Sequence, residues 1–134
     1  MAKILILEDE ILLASYWQKL LESDGHQVVC CSTVSQALKQ LSAMFFDLII
    51  ADMMIKEQGK FVNSGGLTLI GKRLMCNFPM IPIIGVSGYK PTFSNSALEI
   101  AKDMGVDLAI YKPISPDTLL NAVNKLLNRG QDSD

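Results

Sequence analysis

The hydrophobic positions of this chain fall into two alternating patterns. Short runs of aliphatic residues recur near Lys3–Leu7, Gln27–Cys31, Asp47–Ala51, Ile81–Val86 and Asp107–Tyr111. Such near-continuous runs mark strands buried on both faces. Between them lie segments with helical spacing and helical punctuation. The first spans about Glu10–Ser23, with Ile11, Ala14, Leu20 and Leu21 among its apolar positions, and stops at Asp24-Gly25. Thr33 followed by Gln36 forms a capping box that opens a second helix, running to about Met44. A third covers about Gly65–Cys76, and a fourth about Ser94–Met104, stopping at Gly105. Ser115-Pro116 places a cap and a first-turn proline before a fifth, which runs to about Asn128 with the stripe Leu119, Leu120, Val123, Leu126 and Leu127.

Five strand–helix alternations imply a parallel sheet covered by helices on both faces. Right-handed crossovers leave few topologies. The expected fold is α/β: a flavodoxin-like (βα)5 doubly wound sheet of strand order 2-1-3-4-5. The 134 residues fit one domain, expected over 1–128, with 129–134 as a polar tail.

In such a sheet chemistry collects at the carboxyl ends of the strands. The residues delivered there are Glu8-Asp9, Asp52, Ser87 and Lys112-Pro113. Clustered carboxylates repel one another unless a cation holds them, so these acids predict a Mg²⁺ site beside a reactive carboxylate.

Composition narrows the picture by exclusion. Hydrophobic residues make up 49% and charged residues 19%, as in an ordinary globular chain. The formal net charge is −2 and no basic block occurs, so no direct nucleic-acid binding is expected. No apolar run is long enough to span a bilayer, and the first strand starts too early for a signal peptide. The expected location is cytoplasmic. Cys30, Cys31 and Cys76 have neither the count nor the spacing of a disulfide or zinc framework and read as buried or half-buried thiols. The only histidine, His26, follows Gly25 and reads as a surface turn residue; Met53 reads as packing, and Trp17 as partly buried core or a surface patch.

Taken in order, Glu8-Asp9, Asp52, Ser87-Gly88 and Lys112-Pro113 resemble the receiver domain of bacterial two-component response regulators, the CheY-like family, over nearly the whole chain. The resemblance implies a regulatory phosphoacceptor rather than an enzyme with turnover. Asp52 matches the residue that takes the phosphoryl group, in a Mg²⁺-dependent reaction, from a histidine kinase or phosphotransfer protein. Glu8, Asp9, Asp52 and the Met54 backbone carbonyl match the metal ligands. Lys112 matches the lysine that pairs with the acceptor, in a cis Lys-Pro unit, and Ser87 the hydroxyl that reorients onto the phosphoryl group. A protein-interaction surface then switches, acting on an unidentified target or output domain.

Four positions depart from the family pattern. Lys56 stands where proline is common. The segment Ile55–Gly65 is longer than usual and reads as a loop that gates the site or contacts the kinase. Ala109 stands where the switch aromatic is expected, with Tyr111 on the same strand face and Tyr89 nearby. Met54 and Tyr89 are bulky where the family tunes access of water, which predicts a long-lived phospho-Asp52. The alternative reading is a receiver-like protein-binding module independent of phosphorylation. An aspartyl phosphatase of the haloacid-dehalogenase type fits less well, because Met54 stands where a second acid is needed. An FMN protein fits poorly because Glu8-Asp9-Glu10 would repel a phosphate.

Overall fold

The computed structural model describes residues 2–53, 55–57, 60–62, 81–87 and 106–128. The described elements are β1 (Lys3–Leu7), α1 (Ile11–Ser23), β2 (Gln27–Cys31), α2 (Val34–Ala43), β3 (Leu48–Asp52), β4 (Ile55–Glu57), β5 (Lys60–Val62), β6 (Ile83–Ser87), β7 (Leu108–Tyr111) and α3 (Pro116–Asn128). The third and fourth predicted helices lie outside the described residues, as do Met54, Cys76, Gly88 and Tyr89.

Five parallel strands form one sheet in the order β2-β1-β3-β6-β7. This is the expected 2-1-3-4-5 order, because β4 and β5 form a separate two-stranded antiparallel sheet. That hairpin corrects the loop reading at Ile55–Glu57 and Lys60–Val62; the rest of the segment to Gly65 lies outside the described residues. Its strands are three residues each, joined by Gln58-Gly59, too short for alternation to stand out in the sequence.

The central strands β1, β3 and β6 are buried on both faces, which is why they carry no polar alternation. Leu5, Leu7, Ile49, Ala51 and Ile83 point one way, into a core with Ala37 and Leu41 of α2 and with Met53. Ile4, Ile6, Leu48, Ile50, Ile84 and Val86 point the other way, against Ala14, Trp17 and Leu21 of α1 and Leu119, Ala122, Val123 and Leu126 of α3. A β-carbon at Gly85 would meet Val106 Cγ1 at 3.2 Å and Met53 Cε at 3.4 Å, so Gly85 leaves the room that Met53 fills.

Local signals operate as read, with informative differences. Gly25 takes φ 92°, a left-handed conformation open to glycine at little cost. Its N–H donates to Glu22 O and that of His26 to Leu21 O, a Schellman stop for α1. Thr33 Oγ1 accepts from Gln36 N at 3.1 Å, while Gln36 Oε1 accepts from Ser32 N at 2.9 Å. The reciprocal half of the capping box thus falls one residue early. Ser115 Oγ caps α3 by accepting from Thr118 N at 3.1 Å. Asp47 and Asp107 sit just before β3 and β7 rather than inside them. Each carboxylate extends the ladder by accepting a neighbouring backbone N–H, from Lys3 and Ile83 respectively, at 2.8 Å.

Three residues differ from their expected placement. Ile11 is 76% exposed, because it lies about a quarter turn around α1 from the centre of the stripe Ala14–Trp17–Leu21. The His26 side chain is only 9% exposed, because the turn at Gly25 folds it back so that Nδ1 accepts from Ala2 N at 3.2 Å. Cys31 is buried as expected, whereas Cys30 is exposed on edge strand β2, its Sγ 3.4 Å from Gln18 Oε1. Burial raises both thiols, Cys31 to about 11, which makes them poor nucleophiles.

Candidate functional site

Strand parity builds the site. Glu8 continues the face of Ile4 and Ile6, Asp52 that of Leu48 and Ile50, and Lys112 that of Leu108 and Ile110. All three therefore reach the carboxyl edge of the sheet on the side covered by α1 and α3. The ladder fixes the strand ends around them: Glu8 N donates to Cys31 O at 2.9 Å, Met53 N to Val86 O at 2.8 Å and Lys112 N to Ser87 O at 2.8 Å. The Lys112–Pro113 peptide bond is cis, as the resemblance implies.

The Lys112 ammonium bridges two buried acids. Nζ donates to Asp52 Oδ2 at 2.9 Å and lies 2.7 Å from Glu8 Oε1. The contact to Glu8 is an ion pair without hydrogen-bond alignment, since Oε1 has no hydrogen-bond partner. Glu8 Oε2 accepts from Glu10 N at 3.0 Å, which turns the carboxylate at the start of α1. Burial pushes the Glu8 carboxyl up to about 7; its pairing with the Lys112 ammonium and its bond from Glu10 N offset part of that rise, and Asp52 adds to it. Burial alone would lower Lys112, but its pairing with Glu8 and Asp52 outweighs this and holds the ammonium above its ordinary value.

One lysine faces three acids. Carboxylate oxygens of Glu8, Asp9 and Asp52 all lie within 4.8 Å of one another. The buried Glu8 Oε1 pairs with the Lys112 ammonium but makes no aligned hydrogen bond, so a single ammonium serves a cluster of three carboxyl groups. Hard oxygen donors at this spacing suit a hard divalent ion. The residues present therefore fit a metal ion, and they include every acid named from the sequence.

Ser87 is brought to the same strand ends but on the other face of the sheet. It is buried and stands in register with Tyr111, its neighbour across β6 and β7. Ala109 pairs with Gly85 instead. Ala109 and Tyr111 both pack on the α2-side core, as expected of alternate positions on one strand. The Met54 carbonyl lies outside the described residues.

Sequence reasoning gave Trp17 no role. Its ring is buried at 1% exposure, and Lys112 Nζ lies over it, 5.9 Å from the centroid. The spacing of Ala14, Trp17 and Leu21 signals its burial; nothing in the sequence signals the lysine. Among the described residues, no helix is long and apolar enough to cross a membrane.

Comparison with known proteins agrees with this geometry. The model of the response regulator receiver domain matches residues 4–124. The chain is 31% identical over 125 residues to the CAI-1 autoinducer sensor kinase/phosphatase CqsS of Vibrio cholerae, covering 90% of this chain and 17% of that protein. It is 30% identical over 124 residues to the transcriptional regulatory protein ZraR of Escherichia coli K12, covering 92% of this chain and 26% of that protein. The chain thus spans only a minor part of either relative. In fold it is similar to a CheY-like receiver domain protein from Methanospirillum hungatei, with TM-score 0.82, 24% identity, and coverage of 100% of this chain and 99% of that one. It is also similar to a two-component response regulator from Clostridium difficile, with TM-score 0.83, 20% identity, and coverage of 98% and 100%. With the fold, the clustered acids and the family match in agreement, the chain belongs to the response regulator receiver domain family.

Proposed function

We propose that residues 1–128 act as a cytoplasmic phosphoacceptor whose Asp52 takes a phosphoryl group from a histidine kinase or phosphotransfer protein. One observation carries the reading: Lys112 Nζ holds Asp52 Oδ2 at 2.9 Å and Glu8 Oε1 at 2.7 Å, inside a cluster of three acids. An ammonium so placed orients the nucleophilic carboxylate and lies beside the oxygens that gain charge during transfer.

In this reading an Asp52 oxygen attacks phosphorus and forms an O–P bond as the donor's P–N bond breaks. The imidazole nitrogen keeps the electron pair and takes a proton, and Asp52 becomes an acyl phosphate. Glu8, Asp9, Asp52 and the Met54 carbonyl would hold Mg²⁺, which supplies positive charge against that of the transferred group. Lys112 exchanges its bond to Asp52 for one to a phosphoryl oxygen. Ser87 bonds a second oxygen, and its in-register neighbour Tyr111 carries that movement to the protein-interaction surface.

Intact mass after incubation with acetyl phosphate tests this. The expected result is a gain of one phosphoryl group that needs Mg²⁺ and vanishes in Asp52→Ala. No gain from either acetyl phosphate or a phosphorylated kinase would instead support a binding module independent of phosphorylation.

A further inference from the structure

The lysine at the centre of this site is held from two sides. Glu8 and Asp52 draw its ammonium toward the acid cluster, and the Trp17 ring lies 5.9 Å from the same nitrogen. An aromatic face attracts a cation lying over it without taking its proton and without using up its N–H donors on one acceptor. An ammonium held only by carboxylates would be strongly fixed; one that also rests against a ring can exchange carboxylate partners while keeping a favourable contact. Trp17 is suited to that task, because it is nine-tenths or more buried and α1 packs it against the sheet core. The remaining side-chain exposure of Lys112 is 14%, so the ring acts in a largely dry setting where cation–π attraction is strongest.

We infer that Trp17 is a positioning residue for Lys112: its ring keeps the ammonium at the acid cluster before and after the lysine changes partners from Asp52 to the phosphoryl oxygen. This rests on the proposed phosphoacceptor reading. It also places the chain's single tryptophan as a built-in reporter of the lysine.

Two arms test it. Trp17→Phe keeps a ring, whereas Trp17→Leu keeps apolar bulk alone. Trp17→Leu is expected to gain phosphoryl groups from acetyl phosphate roughly three- to tenfold more slowly than wild type, with Trp17→Phe restoring most of the rate. Thermal unfolding of both variants separates this from lost packing: a structural role predicts that rates follow stability and that Phe and Leu behave alike. The second arm leaves Trp17 in place and reads its fluorescence in Lys112→Met. Removing the ammonium, a quencher of indole emission, should raise the intensity and shift the maximum. Trp17 emission identical in wild type and Lys112→Met, or Trp17→Leu labelling at the wild-type rate, would overturn the inference. The fluorescence arm needs no phosphorylation, so it stands even if wild type takes no phosphoryl group, a result that would count against the function and not against the contact.

Discussion

Lys112 Nζ donates to Asp52 Oδ2 at 2.9 Å across a sequence separation of 60 residues. The bond joins the ends of β3 and β7, which do not pair with each other, so the site forms only when the sheet is complete. Removing the ammonium leaves Glu8 and Asp52 buried together. Lys112→Ala should destabilise the metal-free protein by about 3 kcal/mol, because a buried charge loses its partner. It should also slow phosphoryl gain at least roughly tenfold, in proportion to a lost charge-assisted bond at the reacting group. Denaturant unfolding and a mass-resolved time course check both.

Glu8 gives the protein a pH-dependent stability of defined sign. Its carboxyl rises from 4.5 to about 7 on folding, chiefly through burial. Between those values the native state binds more protons than the unfolded chain, so stability falls as pH rises. The contribution is whole below about 4.5 and lost above about 7. Thermal melts of metal-free protein across this window should show the decline, and Glu8→Gln should flatten it. At pH 8 the variant should melt roughly 3–5 °C higher for each kcal/mol of relieved repulsion. Mg²⁺ should raise the wild-type midpoint at that pH and raise that of Glu8→Gln less.

Gly25 ends α1 with φ 92° and nothing within 4 Å of a β-carbon placed there. The cost of a side chain is therefore conformational rather than steric crowding by neighbours. Gly25→Ala should destabilise by about 1 kcal/mol and leave phosphoryl gain unchanged. A variant as stable as wild type would contradict the assignment of this turn as the helix stop.

Among the described residues, β4 and β5 form a sheet of their own with no ladder to the five-stranded sheet. Deleting Lys56–Val62 should leave the unfolding midpoint nearly unchanged, slow phosphotransfer from the cognate kinase, and alter labelling by acetyl phosphate much less. Equal kinetics with the kinase would remove any role for the hairpin in recognition.

The parts of the fold legible in the sequence were those set by local repetition. Ile4–Leu7 and Leu48–Ala51 read as strands because both faces of the sheet are covered, and Gly25, Thr33 and Ser115 read as helix ends because each makes a bond within a few residues. Glu8, Asp9, Asp52 and Lys112 were legible together because parallel strands end at a common edge. Contacts that need the finished fold were not. The return of His26 to Ala2 depends on where β1 lies, and the Lys112–Trp17 contact on how α1 packs against the sheet. The hairpin escaped notice because its three-residue strands mix charged and apolar residues too briefly to set a period.

Phosphoryl transfer in the proposed function ends on a carboxylate oxygen of Asp52, as an acyl phosphate. An acyl phosphate, unlike a phosphoester, is reduced by borohydride to an alcohol, which converts the aspartate to homoserine. Wild-type protein should be labelled with acetyl phosphate and Mg²⁺, reduced, digested and sequenced by tandem mass spectrometry. Homoserine at position 52 is the predicted result. Homoserine at another acid, or phosphate that survives reduction on a hydroxyl such as Ser87, would contradict the account.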